Sequence, residues 1–391
     1  MNKLISILAI ILLMFAGCGG SRKSGNDSDT FITINVRTSY PQKELILQDF
    51  MDVEYIALET GGEFYTQGVV LDIGKNYILL RNRVNDGNIY VFDRNGKGLR
   101  VINRRGQGPE EYLWNTFTML DEENGEIFVN DNSKNSILVY DLFGNFKRHI
   151  RHQEGVRYGM LHNFDSESWI FKNETRDREA STPSFFIKSK HDGSIVKEII
   201  IPFEEWKTPI QSVRNPENNS VFSIGPSAHS DITPYQGQWI LVELSSDTTY
   251  RYFPDHSMSP FWVRTPSIQS TNPEIFVLPG IFTDDYYFFR IYTKDYNFDT
   301  QRGSDEIQLM YNKEARKIFE YVIFNNDYSD RRRISMSRRT LNDEIAFWQS
   351  IEADILLEDY EKGVLNGKLK EIAAGLKEED NPVIMLVKHK R

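Results

Sequence analysis

The sequence predicts an all-β, six-bladed β-propeller. Three observations carry the prediction. A strand unit recurs at a fixed period, tight turns fall at the same place in each unit, and strand-like segments lie near both ends of the folded region. The unit Ile89-Tyr90-Val91-Phe92-Asp93-Arg94-Asn95-Gly96 returns as Ile137-Leu138-Val139-Tyr140-Asp141-Leu142-Phe143-Gly144. It returns more loosely between Phe185 and Gly193. The marker glycines Gly96, Gly144 and Gly193 stand 48 and 49 residues apart. A period of that size, carried by short strands, is what a propeller blade leaves in a sequence.

The first element is a targeting segment rather than part of the fold. Lys3 precedes an apolar run from Leu4 to Phe15, the length of a signal-peptide core and too short to span a bilayer comfortably. Phe15-Ala16-Gly17-Cys18 resembles a bacterial lipobox, with Phe15 where Leu is usual. Residues 1–17 are therefore read as a lipoprotein signal peptide and Cys18, the single cysteine, as the lipidation site. Acyl chains contribute about 0.8 kcal/mol per buried methylene, so several on one residue anchor firmly. Residues 18–30 are polar and read as a flexible tether. Gly19 lacks the acidic character of an inner-membrane retention signal, which favours the outer membrane. Residues 31–391 are read as a single propeller domain.

With 56 acidic against 46 basic residues the chain carries a net charge of −10. That argues against bulk nucleic-acid binding. With one cysteine there is no internal disulfide, so the fold rests on its core. An apolar content of 40% supplies enough material for one.

The blades share one internal order. Leu71-Asp72 precedes a turn and the strand Tyr77 to Leu80; one period later Leu120-Asp121 precedes a turn and Ile127 to Val129. Asn95-Gly96 and Gly144-Asn145 supply the positive φ that tight hairpins need. Later units begin at Trp169, Gln238 and Tyr286. Phe31 to Val36 alternates like a strand, and Pro382 to Val387 is an apolar one. The terminal segments are expected to share closure of the ring, since an open edge invites aggregation. A helical segment near 352–378 precedes the closing strand; Leu369, Ile372, Ala373 and Leu376 form one apolar stripe. Dividing the domain by the period leaves seven blades as the alternative to six.

The loop Asn103-Arg104-Arg105-Gly106-Gln107-Gly108-Pro109-Glu110-Glu111-Tyr112, the segment Asp247-Thr248-Thr249-Tyr250 and the ending Asn381-Pro382-Val383 resemble motifs of a known group. These are the six-bladed propeller lipoproteins abundant in Bacteroidota, distantly similar to NHL-repeat propellers. The resemblance spans essentially the whole mature chain. It implies the fold and an envelope location, with glycan or peptide binding suspected of members, but its motifs are architectural.

Candidate ligand contacts are Arg104, Arg105, Gln107, Glu110, Glu111 and Tyr112 in that loop, with Trp114 and Trp206 as stacking platforms. The structural alternative for the loop is a simple turn between blades. Arg331, Arg332, Arg333, Arg338 and Arg339 form a basic cluster suited to acidic sugars, phosphates or a membrane surface. Nearby Asp327, Asp330 and Asp343 offer it a solvated alternative. His149 and His152 lack the companions of a zinc site, so neither a metal nor a cofactor is expected. The favoured reading is a lipid-anchored envelope propeller that binds a glycan, peptide or envelope protein without catalysis. The alternatives are a polysaccharide- or peptide-acting lyase or hydrolase, and a structural or sensor subunit of an envelope complex.

Overall fold

The computed structural model describes residues 31–215, 219–226 and 229–390; the signal peptide, the tether and Cys18 lie outside the described residues. Among the described residues, six blades ring a channel. The first three are antiparallel meanders. They comprise Val69–Ile73 to Gly98–Asn103, Thr118–Asp121 to Phe146–Arg151, and Tyr158–Asn163 to Ile195–Ile199. Each runs from the channel outward in chain order. The fourth, from Ile232–Tyr235 to Met258–Thr265, and the fifth, from Ile275–Phe282 to Lys317–Phe324, keep that order. A hairpin of Gln211–Arg214 and Val221–Ile224, absent from the sequence reading, lies in the long link between blades three and four.

The amino-terminal segment straps three consecutive blades. Ile32–Asn35 adds a parallel outer strand to Met258–Thr265 of blade four, and Gln42–Ile46 does the same to Lys317–Phe324 of blade five. Alternation dictates the first docking: Ile32 and Ile34 are buried while Thr33 and Asn35 face out. The chain then supplies Met51–Ala57 as the outer strand of blade six, paired antiparallel with Val383–His389. The ring thus closes within one blade by joining the two ends of the domain. The strand nearest the amino terminus, however, reinforces blade four, and Met51–Ala57, which the sequence reading passed over, does the closing.

Blade six is irregular at its inner edge. Its second and third strands are Ile345–Ile351 and Val383–His389. In place of a first strand, residues 336–341 run along the channel. The Met336 carbonyl accepts from the Ile281 amide of blade five, and the Leu341 amide donates to Ile345. Gly280 admits this approach, because a Cβ there would stand 2.6 Å from the Met336 oxygen. The helices Ala353–Glu361 and Gly367–Ala373 connect the two strands. Leu356, Leu369 and Ala373 bury their stripe in the cluster that holds Phe50, Met51 and Val383, so the helices fill the seam.

The period has a physical cause at the blade corners. Gly96, Gly144 and Gly193 all have positive φ. Each corner is pressed against the preceding blade: a Cβ on Gly144 would lie 2.6 Å from Ile102, and one on Gly193 2.3 Å from Ile150. Asp93 Oδ1 accepts from the Asn95 and Lys97 amides at 2.8 and 3.0 Å, and Asp141 repeats the turn with Phe143 and Asn145. Arg100 reaches the Leu142 carbonyl at 2.6 Å, and Arg148, one period on, the Lys190 carbonyl at 2.7 Å.

Gly144→Ala therefore combines left-handed strain with a steric clash at a blade interface. Gly125 also has positive φ, but a Cβ there meets nothing within 4 Å. Gly125→Ala is expected to cost about 1 kcal/mol and Gly144→Ala roughly 2–4 kcal/mol, as measured by denaturant unfolding. Equal costs would remove the corner contact from the account of the repeat.

Candidate functional site

Where blades three and four meet, on the face carrying the connections between second and third strands, a cavity of about 480 Å³ gathers charged side chains and Trp206. The elements that place them are regular. Lys172 comes near the end of Ser168–Asn173, and the Asn173 side chain then donates to the Pro183 carbonyl at 3.0 Å and folds the link over the channel. Glu174, Arg176 and Arg178 lie on that link. Gly159, on the inner strand of blade three, makes room for Glu174: a Cβ there would lie 3.0 Å from Glu174 Oε1. Asp231 precedes Ile232–Tyr235, and Glu243 follows Gln238–Leu241. Trp206 and Lys207 belong to the link between the blades, held by the Lys207 amide on Ser245 Oγ at 2.8 Å.

Two buried ion pairs organise the floor. Arg178 Nη2 meets Glu243 Oε2 at 2.6 Å with both side chains 2% exposed, and Lys172 Nζ meets Asp231 Oδ2 at 3.0 Å. His229 Nε2 stands 3.6 Å from Asp231 Oδ1. Arg178 Nη1 is buried without a hydrogen-bond partner among the described residues. A buried orphan of this kind costs about 1–3 kcal/mol unless something meets it.

The carboxyls are driven apart. Burial alone would raise Asp231, but Lys172 and His229 beside it hold it well below the usual carboxylate range. Glu243 is likewise held low by Lys172 and Arg178 against the effect of burial. Glu174 goes the other way, pushed up by burial and by the Asp231 charge. Lys172 is raised because Asp231 and Glu243 outweigh its burial.

A second cavity, of about 660 Å³, opens on the opposite face, past the turns between first and second strands. Arg339, on the irregular inner edge of blade six, lines it. Its Nη1 points at the Met160 sulfur at 3.2 Å, and it makes no ion pair among the described residues. Although protein surrounds it closely enough to lower its basicity, its side chain faces the water of the lumen. His162 lies beside it, lowered to about 3 by burial and by the Arg339 charge.

The residues singled out from sequence distribute as follows. Trp206 lines the cavity of blades three and four. The loop from Arg104 to Tyr112 instead locks blades one and two. Tyr112 is fully buried, donates to the Gly87 carbonyl at 2.6 Å and packs edge-on against Tyr140. Glu111 accepts from the Gly108 amide, Arg104 Nε reaches the Gly144 carbonyl, and the Glu110 carbonyl takes the Tyr140 hydroxyl. Gln107 borders a wide open groove beside His149 and His152, while Arg105 and Trp114 are on the surface. The basic cluster is split. Arg331 pairs with Glu44, Arg332 with Asp330 and Asp359, Arg333 is exposed, Arg338 lies over the Phe347 ring beside Gln349, and Arg339 lines the channel. Lys172, Glu174, Arg178, Asp231 and Glu243 were not singled out. The available signal was a charge closing an apolar strand, as in Ile170-Phe171-Lys172 and Leu241-Val242-Glu243.

Comparison with known proteins places the chain in a family. Residues 31–388 match the family described as Domain of unknown function (DUF4934), to which the chain belongs. No curated protein sequence matches it. A crystal structure of a protein described as exported, from Bacteroides fragilis, superposes with a TM-score of 0.59 at 15% identity, covering 93% of this chain and 100% of that one. That likeness carries the fold. A DUF4221 member from Bacteroides vulgatus gives 0.48 at 11% identity, covering 88% and 99%. The virginiamycin B lyase of Staphylococcus aureus gives 0.32 at 12%, covering 69% and 88%.

Acid should loosen the packing around two buried histidines. His162 and His152, the latter lowered to about 4 chiefly by burial, are folded as neutral rings. A histidine depressed in the folded state contributes its full stability above about pH 6.5, and loses it as pH falls through the folded value. Melting temperature is expected to fall between pH 7 and pH 4.5, each ring accounting for about 1 kcal/mol at pH 5 after discounting for partial exposure. His162→Gln should flatten the profile in a calorimetric series; an unchanged slope would assign the acid sensitivity elsewhere.

Proposed function

We propose that this chain is an exported, lipid-anchored propeller of the cell envelope that binds a glycan or peptide ligand at the mouth between blades three and four. The observation that carries the reading is the convergence of Trp206 with the charged side chains of Lys172, Glu174, Arg178, Asp231 and Glu243 on one cavity of about 480 Å³. That size is ordinary for a small-molecule site, and a few fixed polar groups beside an aromatic ring are what orient a ligand in one. The ion pairs beneath hold those groups in place before any ligand arrives, which limits the ordering cost of binding. Export and anchoring are supported by the segment from Lys3 to Cys18 and agree with the description of the Bacteroides fragilis protein as exported. The outer membrane is the proposed destination, with no nucleic acid among its partners.

A second reading rests on one observation, the divergence of Glu174 from Asp231. A raised acid beside a lowered one is the arrangement that acid–base chemistry requires, so turnover of the bound ligand is the alternative.

Thermal shifts against a panel of glycans and peptides test the binding. A ligand at about a hundred times its dissociation constant should add roughly 2.7 kcal/mol. Trp206→Ala should abolish that shift while the free protein still unfolds cooperatively; a retained shift would move the site away from this mouth. Mass analysis of the ligand after overnight incubation separates binding from turnover. Cys18→Ala should release the protein from the membrane fraction, and retention there would sink the anchor.

A further inference from the structure

We propose that the open groove between blades two and three binds an acidic polysaccharide chain, whose carboxylate or sulfate groups are met by Arg151 and Arg176. This is a second site, separate from the mouth cavity. The groove encloses about 1210 Å³. That exceeds the roughly 300–1,000 Å³ of a small-molecule pocket and suits a length of chain. The outer strand Phe146–Arg151, the link 152–157 and residues 174–176 contribute its wall. The last two are tied together: the Glu174 amide donates to the Arg157 carbonyl at 2.8 Å, and the Arg157 amide to Thr175 Oγ1 at 2.9 Å. The wall is therefore set before a ligand arrives, which limits the ordering cost of binding.

Charge is the first ground. Lys134, Arg151, Arg157 and Arg176 line the groove against two carboxylates, Glu154 and Glu174, in a chain whose net charge is −10. Lys134 is engaged by the fold, since its ammonium donates to the Gly108 and Glu111 carbonyls. Arg157 stands 4.0 Å from Glu174. Arg151 and Arg176 are exposed, and among the described residues their side chains make no ion pair or hydrogen bond. The arginines of the other basic stretch are matched instead, Arg331 by Glu44 and Arg332 by Asp330 and Asp359. A guanidinium is a planar fork of N–H donors that fits an oxyanion. Two such forks on one groove, both open to solvent, suit a ligand that repeats its negative charge.

The rest of the lining selects among polyanions. Gln107, Ser133 and Asn135 are exposed along the groove. Amides and hydroxyls both donate and accept, as a row of sugar hydroxyls requires. Among the described residues lining the groove there is no Phe, Tyr or Trp, so unpaired bases have no ring to stack on. Its apolar lining is Pro109, Leu138 and Val156, of which Leu138 is buried. That is too little for the alternating side-chain pockets that hold an extended peptide. Hydroxyls and regularly spaced anions without aromatic or apolar groups are the chemistry of an acidic polysaccharide.

Calorimetric titration of the full-length chain decides the matter. The probes are polygalacturonate beside its methyl ester, dextran sulfate beside dextran, and poly-glutamate and single-stranded DNA as polyanions of other classes. At least one acidic polysaccharide should bind at least about tenfold tighter than its neutral counterpart, and lose roughly tenfold between about 50 and 200 mM salt as two or three contacts release counterions. Arg151→Gln combined with Arg176→Gln should weaken that binding about tenfold with the melting temperature unchanged. Arg333→Gln, an exposed cation off the groove, and Trp206→Ala, at the mouth, should each leave it within about twofold. An equal loss in Arg333→Gln, full binding in the double variant, or no preference for the acidic form overturns the proposal. So does tighter binding of poly-glutamate or DNA. A loss confined to Trp206→Ala also overturns it, by moving the polysaccharide to the mouth, while failure of the groove leaves the reading of the mouth standing.

Discussion

Everything in this fold depends on how the ring is closed. A propeller is rigid only when its first and last blades are joined, because otherwise two blade faces and one strand edge are left open. Here the carboxy-terminal strand Val383–His389 lies between Ile345–Ile351 and the amino-terminal strand Met51–Ala57, with seven residue pairs in register on the latter side. The same amino-terminal stretch first covers the outer edges of blades four and five. Closure and edge protection thus come from one continuous segment. The blades it secures include the fourth, which forms half of the candidate site.

Legibility follows the corners. Blades one to three were readable because their corner residue is glycine, which takes positive φ without strain and leaves no side chain to strike the preceding blade. In blades four and five the corner conformation persists, but His256 and Arg316 adopt it. The backbone period survives there while its sequence marker is lost. Blade six hides its first strand for a different reason. Residues 336–341 make only part of a ladder and carry two arginines in succession, so nothing in the segment alternates as a strand should.

The candidate site was legible only at Trp206. Its other members come from Lys172, Asp231 and Glu243, far apart in sequence and each resembling an ordinary strand-end charge. What distinguishes them is burial, which a single sequence does not display. The loop from Arg104 to Tyr112 shows the opposite case, a segment whose packing role was not legible. It has glycines, arginines and acids in the mixture that ligand loops use. Arg104, Glu111, Tyr112 and the Glu110 carbonyl hold blade one to blade two, with Tyr112 as the central peg.

Burying two ion pairs at a blade interface is an expensive way to hold it, since desolvation of each charge consumes most of the attraction, and an apolar pair of similar size often stabilises as well. The neighbouring blade contacts show the cheaper solution, with Phe171, Phe186 and Trp169 packed in an apolar cluster. The charges of Lys172, Asp231, Arg178 and Glu243 are therefore poorly explained by stability. Their geometry makes sense if they set orientation: the two pairs hold four charged side chains along one wall of the cavity. A closed ring cannot relax that wall from within, because the corners and the amino-terminal strap hold the blades at fixed spacing. The rigidity that makes the interface costly is what keeps the charged wall in one arrangement.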